Sequence, residues 1–144
     1  MHLFYALHEA LTMVLEEGLP ARFARHRRNA AAFRAGIEAL GLHVFAHPEV
    51  VSPTVTCIRL PAGLSATDFL RHLRQDHGLT TLPGLGEYRE SVVRVGHMGV
   101  TATPRVILHA LYAFEDVLRR LGHACPPGAG VARAAAVYAE TDGA

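Results

Sequence analysis

The sequence contains no lysine; all 14 of its basic residues are arginine. No side chain can therefore form a Schiff base with an aldehyde, and any reaction that runs through a lysine amine is closed to this chain on its own. Cysteine is scarce too: Cys57 and Cys125 are too few and too far apart for a disulfide framework or a zinc site. A reducing cytoplasm is the compartment that this usage fits. No apolar run approaches the roughly 20 residues needed to cross a bilayer, and the N-terminus lacks the basic segment and cleavage site of a secretory signal. An excess of one charge is missing as well. The net charge is +1, which gives no general attraction to nucleic acid or membrane. A high-GC genome would produce the same bias toward arginine and alanine, and the chemical consequence holds whatever its origin.

What is present is enough for one globular domain. The chain has 144 residues, half of them hydrophobic and 19% charged, which suffices for a core of its own. It opens inside an apolar helical pattern, with Leu3, Phe4, Leu7, Leu11, Val14 and Leu15 on one side and Gly18 as a stop. Pro20 suits the first turn of a second helix that runs to about Leu40 and closes at Gly41. The spacing then predicts strands near 43–45, 54–60, 79–82 and 91–95. Between the second and third of these lies a helix that starts at Ser65 and ends before Gly78. Thr103-Pro104 reads as the N-cap and first turn of a further helix, with an apolar face from Ile107 to Leu121 and a stop at Gly122. Residues 123–144 hold small residues, two prolines and no clear apolar face, and are expected to form a flexible tail. Strands between helices with short links indicate an α/β (α+β sandwich) architecture, a small and mainly antiparallel sheet covered by helices.

Few residues stand out as carriers of chemistry. Arg94 offers a planar, permanently charged guanidinium that can grip a carboxylate through two parallel hydrogen bonds; its alternative role is a structural ion pair at a strand end. Gly84, Leu85 and Gly86 form a loop in which glycine lets backbone approach a ligand closely, or simply makes a turn. His97, between Gly96 and Gly99, reads as a packing or hydrogen-bonding residue. The ten histidines include His72 and His77, five apart on a helix, which is not metal-ligand spacing, and no metal is assigned. Arg22, Arg25, Arg27, Arg28 and Arg34 crowd the second helix without interleaved aromatics on that face, and read as a solvated face with nearby acids.

The stretch Ser91-Val92-Val93-Arg94-Val95-Gly96-His97-Met98-Gly99, with Gly84-Leu85-Gly86 before it, resembles the C-terminal domain of the class V, pyridoxal-phosphate-dependent aminotransferases of the alanine–glyoxylate and serine–pyruvate group. Tyr5 to Leu11, Glu16-Glu17-Gly18-Leu19, Arg25-His26, Ala39 to Leu42, Ser52 to Thr56 and Gly99 to Pro104 extend the resemblance in order from about Leu3 to Leu121. Pro83 stands where the family has a further glycine, so the loop is expected to sit differently there. The resemblance implies the small domain of a fold-type I transferase, with residues 1–18 as an interdomain-type helix and 19–122 as the small domain. It implies that Arg94 binds the substrate α-carboxylate, with Gly84, Leu85 and Gly86 beside it, in transfer from alanine or serine to glyoxylate or pyruvate. In the family the Schiff-base lysine and most contacts to pyridoxal phosphate lie on the large domain. This chain is therefore expected to supply no catalytic and no cofactor-binding residue, and not to hold the cofactor covalently. A missing large domain or a second copy is the implied partner, and Met1 falls within a helical segment, as in a fragment or a split gene. The other reading is a non-catalytic module that dimerises through the exposed first helix.

Overall fold

A computed structural model describes residues 1–142. Among these, five α-helices and four strands follow one another as α1 (His2–Glu17), α2 (Leu19–Ala39), β1 (His43–Val44), β2 (Val55–Arg59), α3 (Ala66–His77), β3 (Leu82–Pro83), β4 (Val92–Gly96), α4 (Pro104–Arg120) and α5 (Ala129–Asp142). Local chemistry sets most boundaries. Gly18, at φ 78°, separates α1 from α2, and Pro20 lies in the first turn of α2, where its missing N–H is harmless. The Ser65 hydroxyl accepts the Asp68 N–H to cap α3, and Thr103 does the same for α4 through Val106 N–H.

The strands form one antiparallel sheet in the order β1-β2-β4-β3. Its two faces differ. Ile58, Val93 and Val95 point into a core shared with Phe33 and Ile37 of α2, Phe69 and Leu73 of α3, and Leu111 and Phe114 of α4. Phe114 sits edge-on to both Phe33 and Phe69, with centroids 6.0 and 5.0 Å away. Burying each such ring stabilises the fold by about 1.5–3 kcal/mol. The opposite face carries Cys57, Arg59, Val92 and Arg94; it lies outside the main core cluster, and of these four only Val92 is buried.

Two expectations need correction. The third strand starts at Leu82 rather than 79, because Leu79 N–H is engaged by Leu73 carbonyl and Gly78 N–H by Arg74 carbonyl in closing α3. The helix stop extends past the glycine and delays pairing. More consequentially, the segment expected to be a flexible tail contains α5, packed along α2; its last two residues lie outside the described residues. Ala134 and Tyr138 join the core. Gly36 makes the close approach possible, since a Cβ there would stand 2.5 Å from Leu111 Cδ1 and 2.8 Å from Gly130 carbonyl oxygen. The buried Glu115 carboxylate accepts the Gly128 N–H at 2.8 and 2.9 Å, giving the start of α5 the negative partner its free amides favour.

Tyr138 also reaches across. Its hydroxyl donates to Asn29 Oδ1 at 2.7 Å, and burial pushes its phenol up to about 12. Tyr138→Phe would leave a buried amide oxygen without its donor and is expected to cost about 1–3 kcal/mol, read as a lower urea midpoint with an unchanged denaturant slope.

Candidate functional site

Arg94 occupies the middle of β4, paired in register with Cys57 on β2 and Leu82 on β3. Residues directly opposite share a face, so the alternation that sends Val93 and Val95 inward sends Arg94 to the uncovered side. The side chain is half-buried. Its Nε donates to Pro83 carbonyl at 2.8 Å, and among the described residues no carboxylate pairs with it. The structural ion pair that could have explained this arginine is thus absent from the described residues. The bond to Pro83 fixes the guanidinium plane and leaves the edge formed by Nη1 and Nη2 to accept a carboxylate end-on.

The Gly84–Gly86 loop lies next to this arginine, because Pro83 both pairs with Val93 and accepts from Arg94. Proline is tolerated here since β3 is an edge strand. Gly84 is a steric requirement: a Cβ would come 2.3 Å from Tyr88 carbonyl oxygen. Gly86 requires its positive φ of 54° to turn into the short helical segment Gly86–Tyr88. Leu85 is exposed at the tip. The structure thus brings Arg94 and the loop together.

Beyond β4, the chain is pinned by residues whose part the sequence did not reveal. The Arg25 guanidinium bonds the Glu17 carboxylate through Nε and Nη2, while Nη1 donates to Gly99 carbonyl at 2.9 Å and Ala102 carbonyl at 2.8 Å. Hydrogen bonds from Arg25, joined by Arg22, hold the Glu17 carboxyl down at about 2. His26 receives the Gly99 N–H at Nε2 and, through Nδ1, faces Arg22 carbonyl at 2.7 Å. Accepting at Nε2 while facing a carbonyl at Nδ1 places a ring hydrogen on Nδ1. The family-like pair Arg25-His26 was visible as a string of letters, but nothing in the string showed that it grips a segment 73 or more residues away.

The remaining candidates resolve into structural roles. His72 pairs with Asp76, and His77 Nε2 meets Asp116 at 2.9 Å, where Arg120 also pairs. Among the described residues, no three histidine, cysteine or acidic side chains converge as a metal site. On α2, Arg22 and Arg25 pair with Glu17, and Arg34 donates to Ser52 carbonyl. A groove of about 630 Å³ runs between α2 and residues 51–54, and Arg94 does not line it. No helix of the described residues is long and apolar enough to cross a membrane.

His97 is buried, with Nε2 at 2.8 Å from Thr56 Oγ1 and its ring against Phe33. Burial pushes its imidazole down to about 4, and the Arg34 charge acts in the same direction. The unfolded chain restores an ordinary value near 6.5, so between those two pH values only the unfolded state takes up the proton. Stability from the neutral ring is therefore complete above about pH 6.5 and is lost as pH falls toward 4, by about 3 kcal/mol. Denaturant unfolding at stepped pH is expected to show this decline, and His97→Gln is expected to flatten it.

With the geometry in place, similar proteins become informative. No family model matches the chain. The (S)-ureidoglycine–glyoxylate transaminase of Bacillus subtilis is 35% identical over 136 residues, covering 94% of this chain and 33% of that protein. The pyridoxamine–pyruvate transaminase of Mesorhizobium japonicum is 37% identical over 129 residues, covering 89% and 33%. The crystal structure of the ureidoglycine–glyoxylate aminotransferase from Bacillus subtilis superposes with a TM-score of 0.90 over 94% of this chain and 35% of that one. The chain thus spans about a third of the length of these relatives.

Proposed function

We propose that this chain, which matches the C-terminal domain of the class V aminotransferases in sequence and fold, is the substrate-gripping part of a pyridoxal-phosphate-dependent aminotransferase and does not transaminate alone. One observation carries the reading: Arg94 presents an Nη edge that no carboxylate occupies among the described residues, on a sheet face that the domain's own core leaves uncovered. An amino or oxo acid has an α-carboxylate for that edge. Two charge-assisted hydrogen bonds would fix the acid's position and orient the bonds at its α-carbon toward a reacting group on another domain.

The residues present do not fit covalent attachment of pyridoxal phosphate, since no lysine is available to form the bond to its aldehyde. When bound, that cofactor supplies the electron sink for amino-group chemistry. Its anchoring lysine belongs, on this reading, to a large domain that also forms the other wall of the site. The contribution of this chain is to bind and orient. Pro83 carbonyl and the Gly84–Gly86 loop hold Arg94 in place, and Arg25 and His26 fix the backbone beyond the strand. Alanine or serine as donor and glyoxylate or pyruvate as acceptor are the proposed substrates; glyoxylate and pyruvate appear in the names of the relatives above.

In an enzyme reconstituted with a lysine-bearing large domain, Arg94→Ala is expected to lower kcat/KM for L-alanine by about 100-fold or more, the loss of two charge-assisted bonds. Unchanged kinetics would remove Arg94 from the site. The chain alone, mixed with pyridoxal phosphate, is expected to give no Schiff-base absorbance beyond that of its free N-terminal amine.

The uncovered first helix supports a second reading. No residue of α1 is buried, and Leu3, Phe4 and Leu15 are 84%, 77% and 79% exposed. An apolar patch of this kind favours association. If the chain serves as an assembly module, equilibrium sedimentation is expected to show a dimer that Leu7→Glu with Leu11→Glu abolishes, whereas a monomer at high concentration would dismiss the module reading.

A further inference from the structure

Resting on the reading of Arg94 as the clamp for an α-carboxylate, we infer that Arg59 holds a second carboxylate, so that the site takes a dicarboxylic amino or oxo acid in addition to, and more tightly than, the monocarboxylates proposed above. The register places the two arginines on one face. Arg94 lies opposite Cys57, and Arg59 is two residues further along β2, opposite Val92. Period-two alternation keeps Cys57 and Arg59 on the side away from the core, as the burial of Thr56 and Ile58, the residues that alternate with them, requires. A diagonal of that kind separates the two backbones by roughly 7–8 Å. The two long side chains can therefore converge on opposite ends of one small acid.

Arg59 is also held in place. Its guanidinium carbon lies 4.9 Å from the centre of the Phe45 ring and 6.0 Å from that of Tyr88, and the two rings are 4.8 Å apart. Both rings lie to one side of the guanidinium, which leaves N–H groups for an acceptor. No protein acid takes them among the described residues, and Glu87, in the turn just before Tyr88, pairs with neither arginine. His43, opposite Arg59 in register, Cys57, opposite Arg94, and Tyr88 are the other titratable groups on this part of the face, and none is a carboxylate.

Tyr88 links the two subsites. Its carbonyl fills the space above Gly84, in the loop whose preceding Pro83 carbonyl orients Arg94. The same turn thus positions one arginine through a backbone acceptor and the other through a ring. Two cations on one face without an intervening acid repel each other, and two carboxylates offset that repulsion more fully than one. This difference is what would select the longer acid.

The test uses the 144-residue chain and titrates L-alanine, L-aspartate and L-glutamate, followed by amide shifts along β2 and β4 in NMR spectra. L-Aspartate or L-glutamate is expected to bind at least tenfold more tightly than L-alanine. Arg59→Gln is expected to cancel that advantage, bringing the three affinities to within about twofold of one another, and Arg94→Gln to weaken all three. If L-alanine shifts the β4 amides and the dicarboxylates bind no more tightly, the second subsite is overturned and the Arg94 reading stands. An advantage that survives Arg59→Gln overturns it equally. Absence of binding by all three acids overturns both.

Discussion

The Arg25 guanidinium is the point on which the rest of the molecule is hung. One side of it holds Glu17, the last residue of α1, and the other holds the carbonyls of Gly99 and Ala102 beyond β4. Ala102 carbonyl also accepts from Asn29, and Asn29 accepts from Tyr138 on α5. A single chain of hydrogen bonds therefore joins α1, α2, the turn after β4 and α5. It gives two donors to the Ala102 carbonyl and adds one to the Gly99 carbonyl, which otherwise accepts Ala102 N–H at 3.4 Å, and buried backbone carbonyls are expensive to leave unmade. The exit of the Arg94-bearing strand is set by this network.

The sheet divides the labour between its faces. One side is apolar and buried by α2, α3 and α4, which gives the domain its stability. The other carries two guanidiniums and an aromatic pair with no acid in partnership among the described residues. Such a face is poorly suited to solvent alone and well suited to anionic ligands and a covering domain. The rigidity of the buried side is what allows the open side to hold side chains in fixed positions.

Much of this arrangement was legible in the sequence. Thr103-Pro104, Ser65 and Gly78 marked helix ends through capping chemistry that is local and needs no partner. The alternation around Arg94 gave a strand, and the glycines before it gave a loop. Residues 123–144 misled because α5 is not amphipathic in an obvious way: it docks on α2 through glycine and alanine, whose small size rather than hydrophobicity lets two helices approach. Arg59 gave no signal at all, since an exposed arginine on a strand is ordinary until the rings that hold it are known.

The sequence by itself determined what chemistry the chain can supply: no side-chain amine for a Schiff base, one arginine in a recognisable motif, and enough apolar surface for a single core. It also determined most element boundaries, because caps and turns depend on neighbours along the chain. Tertiary structure decided which distant groups meet. That Arg25 reaches Gly99, that Tyr138 reaches Asn29, and that Arg59 shares a face with Arg94 all follow from strand register and helix packing. Those depend on how the whole core closes, and no stretch of sequence contains both halves of the contact.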